Sequence, residues 1–86
     1  MTSSTSLQSG YMYHIYNRGN NREDLFREER NYPYFLSLYR RYITPIADTF
    51  AYCLLKNHFH VLVRIRDTAL RPSLAFSNLF NAYTKT

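Results

Sequence analysis

The spacing of apolar residues changes repeatedly along this chain, and each change predicts an element. "YMYHIYN", Tyr11 to Asn17, is rich in aromatic and β-branched residues, and the glycine and asparagine cluster "RGNNR" follows it. That pattern predicts a strand running into a loop. Phe35, Leu38, Tyr39 and Tyr42 then fall at the i, i+3, i+4, i+7 spacing of one helical face, with Asn31 placed to cap the helix, Pro33 in the tolerated first turn and Pro45 beyond its end. From Asp48 to Arg66 the period becomes two, interrupted at Lys56 and Asn57, which suit a tight turn; a β-hairpin is expected. Pro72 opens a last segment in which Phe76, Leu79, Phe80 and Tyr83 return to helical spacing.

The predicted order, β-α-β-β-α, is an α+β arrangement. It matches a ferredoxin-like antiparallel sheet with helices that lacks its final strand, and the complete arrangement sets the first and third strands side by side. The chain stops after the second helical stripe, so a truncated domain is expected, with a natural short protein as the alternative, and one edge of the first strand is free to pair with another chain. Residues 1–10, "MTSSTSLQSG", are small and polar with a single leucine, and read as a flexible leader or tag remnant ahead of a domain over 11–86.

Composition sharpens the picture in three ways. A chain of 86 residues holds at most one small domain with a thin margin of stability. The 11 lysines and arginines against 6 acidic residues give a formal charge of +5, which favours a polyanionic partner such as nucleic acid or else simply makes a basic surface. The single cysteine, Cys53, rules out a disulfide or a cysteine-based metal site within one chain and points to a reducing cytoplasm. With no apolar run near the roughly 18 residues of a membrane span and no signal-peptide pattern, neither membrane insertion nor export is expected.

The chemistry concentrates in "CLLKNHFHVLVRI", Cys53 to Ile65. On a strand from His58 to Arg66, alternation sends Phe59, Val61, Val63 and Ile65 to one face and His58, His60, Leu62 and Arg64 to the other. Two imidazoles on one side, two residues apart, can reach a single cation if further ligands come from elsewhere. Equally, two polar residues on a half-exposed strand can be merely solvated. His14, opposite the apolar Tyr13 and Ile15 by the same alternation, adds a polar group to the first strand.

The stretches "YHIYNRGNNREDLF", "NYPYFLSLYRRYI", "AYCLLKNHFHVLVRI" and "FSNLFNAYTK" together closely resemble the HUH-type single-tyrosine transposases of small bacterial insertion sequences, above all the relatives associated with repetitive extragenic palindromes. The resemblance covers nearly all of 11–86, which it identifies with the N-terminal part of a transposase HUH domain; His58, Phe59 and His60 match the histidine, hydrophobic residue, histidine motif. It implies a divalent ion, magnesium or manganese, held by His58 and His60, single-stranded or hairpin DNA as substrate, a homodimer, and DNA transposition through a 5′ phosphotyrosine. It also implies a nucleophilic tyrosine and a further polar metal ligand on a downstream helix, and neither has a matching position here. Tyr83 is the tempting substitute nucleophile, yet its place in the apolar stripe argues for packing.

For DNA contact the sequence offers Asn17, Arg18, Asn20, Asn21 and Arg22 in the first loop, where arginines can grip phosphates and asparagines can read base edges, with a solvated turn as the plainer explanation. Lys56, Arg64 and Arg66 flank the histidine pair and suit the phosphate backbone, whereas Arg40 and Arg41 read as ordinary surface charge on the helix. Two other functions stay open. One is a non-catalytic ferredoxin-like module whose Tyr11, Tyr13 or Tyr16 stacks unpaired bases; the other is a regulatory transposase remnant that pairs with intact copies.

Overall fold

The structure is a computed structural model and describes residues 7–18, 24–67 and 71–84. Its elements are β1 (Met12–Arg18), α1 (Asn31–Tyr42), β2 (Ala47–Leu55), β3 (His58–Ile65) and α2 (Pro72–Thr84). The three strands form one antiparallel sheet in the order β1-β3-β2, so the first and third strands are neighbours, as a ferredoxin-like plan requires. Two helices, packed on each other, share one face of that sheet.

The core lies between that face and the helices. Phe59, Val61, Val63 and Ile65 of β3 meet Phe35, Tyr39 and Ile43 from the α1 region and Phe76, Leu79 and Tyr83 of α2. Phe26, from the segment before α1, fills the same core, with its ring edge-on to Phe35 at 5.3 Å between centroids. Its backbone N–H donates to the Lys56 carbonyl at 2.9 Å, which ties that segment to the β2–β3 turn.

Three local features differ from what residue type suggests. Asn31 is the first helical residue and not the cap: Arg30 occupies the N-cap without a side-chain cap bond, and Asn31 Oδ1 turns back to accept from the Glu28 N–H at 2.8 Å. The short asparagine arm satisfies the turn before the helix, and the N–H groups of Asn31 and Tyr32 donate to the Glu28 and Glu29 carbonyls at 2.9 and 3.2 Å. Alternation along β2 breaks between Thr49 and Ala51, where Phe50 is an extra residue without a partner on β3. Finally, Leu7 packs against the core and the Gly10 N–H donates to the Ile65 carbonyl at 2.7 Å. Gly10 has φ of +82°, a backbone conformation that a side chain makes costly. The last residues of the supposed leader are therefore joined to the sheet.

Candidate metal and nucleic-acid face

The pairing register builds the open face row by row, because residues directly opposite in antiparallel strands point to the same side. His60 stands between Tyr16 of β1 and Cys53 of β2; His58 stands between Arg18 and Leu55; Leu62 stands between His14 and Ala51. His58, His60, His14, Tyr16 and Arg18 thus share one patch on the side away from the helices. Alternation along β3 places its histidines here for the same reason that it sends Phe59 and Val61 to the core.

Each histidine of the pair has one ring nitrogen engaged. His58 Nδ1 lies 2.6 Å from Asn57 Oδ1. A carbonyl oxygen only accepts, so His58 Nδ1 carries the proton and Nε2 keeps its lone pair. His60 Nδ1 lies 2.9 Å from His14 Nε2. The rings of His58 and His60 are 4.8 Å apart between centroids and nearly perpendicular at 84°. Burial, then the charges of His58, His14 and Arg18, hold the His60 pKa below the ordinary histidine value and favour its neutral, ligand-competent form.

This donor chemistry suits a divalent cation in part: two imidazole nitrogens can be offered from one face. Among the described residues no group of three or more histidine, cysteine or acidic side chains is arranged to hold a metal ion, so a cation held by the pair would need further ligands. Cys53 is exposed and neighbours His60 in the register.

The remaining predicted residues divide by position. Arg18 is on the open face beside His58, and its backbone N–H donates to Asn17 Oδ1 at 2.9 Å. Asn17 pairs with Phe59 and lies on the helix side of the sheet. Asn20, Asn21 and Arg22 lie outside the described residues. Lys56, in the turn next to Asn57, is 3.7 Å from the Asp24 carboxylate. Arg64 is on the open face and donates from Nε to the Gly10 carbonyl at 3.3 Å. Arg66 is held by Asp48, with Nη2 to Oδ1 at 2.9 Å. These cations are exposed, and surface pairs of this kind contribute little to stability.

Tyr83 is on the other side of the sheet. It is 8% exposed, its ring meets Phe35 edge-on at 5.3 Å, and its hydroxyl donates to the Leu25 carbonyl at 2.7 Å. Burial, with Tyr32 and Tyr34 nearby, pushes its pKa above the usual tyrosine value, which disfavours the phenolate that a nucleophile needs. The layer of Phe59 and Phe35 separates it from the histidine pair. A concavity between α1 and β2, lined by Leu36, Tyr39, Phe50 and Tyr52 among others, also excludes both histidines.

Residue type gave no sign of Asn57 as partner to His58, or of Tyr16 and Cys53 as neighbours of His60. The turn position of Asn57 was the available signal for the first; the others follow only from strand register. No family model, curated protein or solved structure matches this chain.

Proposed function

We propose that this chain is the cation- and DNA-holding part of a single-tyrosine HUH transposase, acting on single-stranded or hairpin DNA in the cytoplasm. The observation that carries this reading is the placement of His58 and His60 on one open sheet face, beside Arg18 and with His14 behind. No helix among the described residues is long and apolar enough to cross a membrane.

His58 and His60 would hold a magnesium or manganese ion. When bound, such an ion neutralises charge that builds on the phosphoryl oxygens of the scissile phosphate. Arg18, adjacent to His58, and Lys56 and Arg64, at the turn and on the same strand, supply cations to fix the DNA backbone. In the reaction a tyrosine oxygen attacks phosphorus, the bond to the 3′ oxygen breaks, and that oxygen leaves as a free 3′ hydroxyl with the proton given up by the tyrosine. The 5′ phosphate stays esterified to the tyrosine, so rejoining needs no nucleotide cofactor. Tyr83 is not the nucleophile in this proposal, since its hydroxyl is spent on Leu25. Among the described residues β1 is an edge strand, and an edge strand that another copy can pair with supports a dimer.

The test combines metal and DNA binding. Calorimetry with manganese should show binding that a His58→Ala, His60→Ala double variant loses, and equal heats from both proteins would end the metal reading. Anisotropy with a labelled hairpin oligonucleotide should show affinity that falls steeply with salt, as counterions return to the phosphates.

A second reading, a non-catalytic nucleic-acid-binding module, is favoured by Tyr16, which lies 53% exposed on the same face and can stack an unpaired base. Hairpin binding that is unchanged by metal and lost in Tyr16→Ala would select it.

A further inference from the structure

His14 belongs to no part of the proposed ligand pair, yet its Nε2 lies 2.9 Å from His60 Nδ1, across strands rather than along one. The ring centroids are 5.0 Å apart and the planes differ by 15°. The centroid separation exceeds the nitrogen separation by little less than the two ring radii, so the imidazoles lie end to end and nearly coplanar. Their facing nitrogens point at each other. This is the geometry of one shared proton in an in-line hydrogen bond, and it excludes both nitrogens converging on a common ion beside them.

We propose that His14 is the positioning residue for His60: by accepting the Nδ1 proton it leaves the lone pair of His60 on Nε2, aimed for a divalent cation, as Asn57 Oδ1 does for His58. The inference rests on the cation reading above. A neutral imidazole carries one proton, and whichever nitrogen holds it cannot ligate; an acceptor fixed on one nitrogen therefore decides which nitrogen faces the ion. The two strands divide the work. β3 offers both rings, the turn fixes one and β1 fixes the other. Tyr16, whose ring centroid lies 5.9 Å from that of His60 and 5.7 Å from that of His14, flanks the pair.

The experiment uses the whole chain, labelled with nitrogen-15, and zinc alone as a diamagnetic probe. Long-range proton–nitrogen spectra of the zinc-loaded chain should show zinc-induced shifts at Nε2 of both His58 and His60, with Nδ1 of His60 protonated and scalar-coupled across the hydrogen bond to Nε2 of His14. Zinc affinity should fall about tenfold or more in His14→Phe, and should recover in His14→Gln, whose side-chain carbonyl also accepts. Equal affinity of the wild type and His14→Phe would overturn the positioning role while leaving the cation reading in place. Absence of zinc binding by the wild type would overturn both. If His14→Phe does not fold, the wild-type spectrum decides: zinc on Nδ1 of His60 refutes the proposal, and zinc on Nε2 with Nδ1 protonated supports it.

Discussion

The two faces of β3 are made from alternate residues of the same eight-residue strand, and they obey different physics. Phe59, Val61, Val63 and Ile65 face the helices and are 0–2% exposed; they are held by contact area, which has no direction. His58, His60, Leu62 and Arg64 face outward, and the three polar ones meet partners through single atoms, such as Asn57 Oδ1 on His58, His14 Nε2 on His60 and the Gly10 carbonyl on Arg64. The first face supplies most of the buried area that holds the fold, and the second supplies little of it. The lesson is that a sheet with helices on one side leaves its other side free for chemistry.

The hardest test of this division compares neighbours. Phe59→Ala should cost about 3–5 kcal/mol, a large part of the stability of so small a domain, and thermal melting by circular dichroism should show a lost or greatly lowered transition. His60→Ala, one residue away, should leave the transition within a few degrees of wild type while abolishing cation binding. Comparable destabilisation by both would erase the distinction between the faces.

The next test asks whether Tyr83 belongs wholly to the helix side. Tyr83→Phe keeps the ring and removes the bond to the Leu25 carbonyl, so denaturant unfolding should report a loss of about 0.5–1.5 kcal/mol. Neither protein should form a covalent adduct with a labelled hairpin oligonucleotide and manganese on a denaturing gel. An adduct made by the wild type and lost in the variant would give the buried hydroxyl a catalytic role and defeat the comparison.

A comparable effect is expected at the strand entrance. Gly10→Ala places a side chain at φ of +82° and should cost about 1–2 kcal/mol, less if the turn relaxes, because the Cβ itself meets only Asp67 Oδ1 at 3.7 Å. A melting temperature equal to wild type would show that the turn relaxes at no cost.

The smallest is electrostatic. His60 should titrate below the ordinary histidine value in an NMR titration, and His58→Ala should move it upward by removing a positive neighbour. Since the folded-state pKa is the lower one, the folded chain binds fewer protons. This contribution to stability is present above the unfolded value of about 6.5 and is lost as pH falls through the folded value. A titration at or above the ordinary value would remove the desolvation and charge effects assigned to His60.

How much of this was legible in the chain depends on the range of the interaction. The stripes Phe35, Leu38, Tyr39, Tyr42 and Phe76, Leu79, Phe80, Tyr83 correspond to α1 and α2 because a helix repeats within a few residues. His58 and His60 share a face because strand alternation is equally local. The bond from His14 to His60 spans 46 positions and exists only through the β1–β3 register, which sequence periodicity does not specify. Asn31 is not the cap that its residue type suggests for a related reason: its side chain has a competing donor in Glu28, and residue type does not say which donor wins. The pairing of Gly10 with Ile65 was hidden by the polar composition of the residues around it.

The unpaired Phe50 in β2 sets the facing of the rest of that strand. Strict alternation from Ala47 would turn Cys53 and Leu55 toward the helices and send Tyr52 and Leu54 outward. One inserted residue reverses that phase, so that Leu54 pairs with Phe59 on the helix side and Cys53 accompanies His60. The same kink interrupts the straight run of backbone donors and acceptors that an outer strand with exposed Phe50, Tyr52 and Leu55 would otherwise present to other molecules. A version of the protein lacking Phe50 would face a choice between burying a thiol in place of a leucine and slipping its hairpin by one position, and either outcome should make it more prone to form fibrous aggregates.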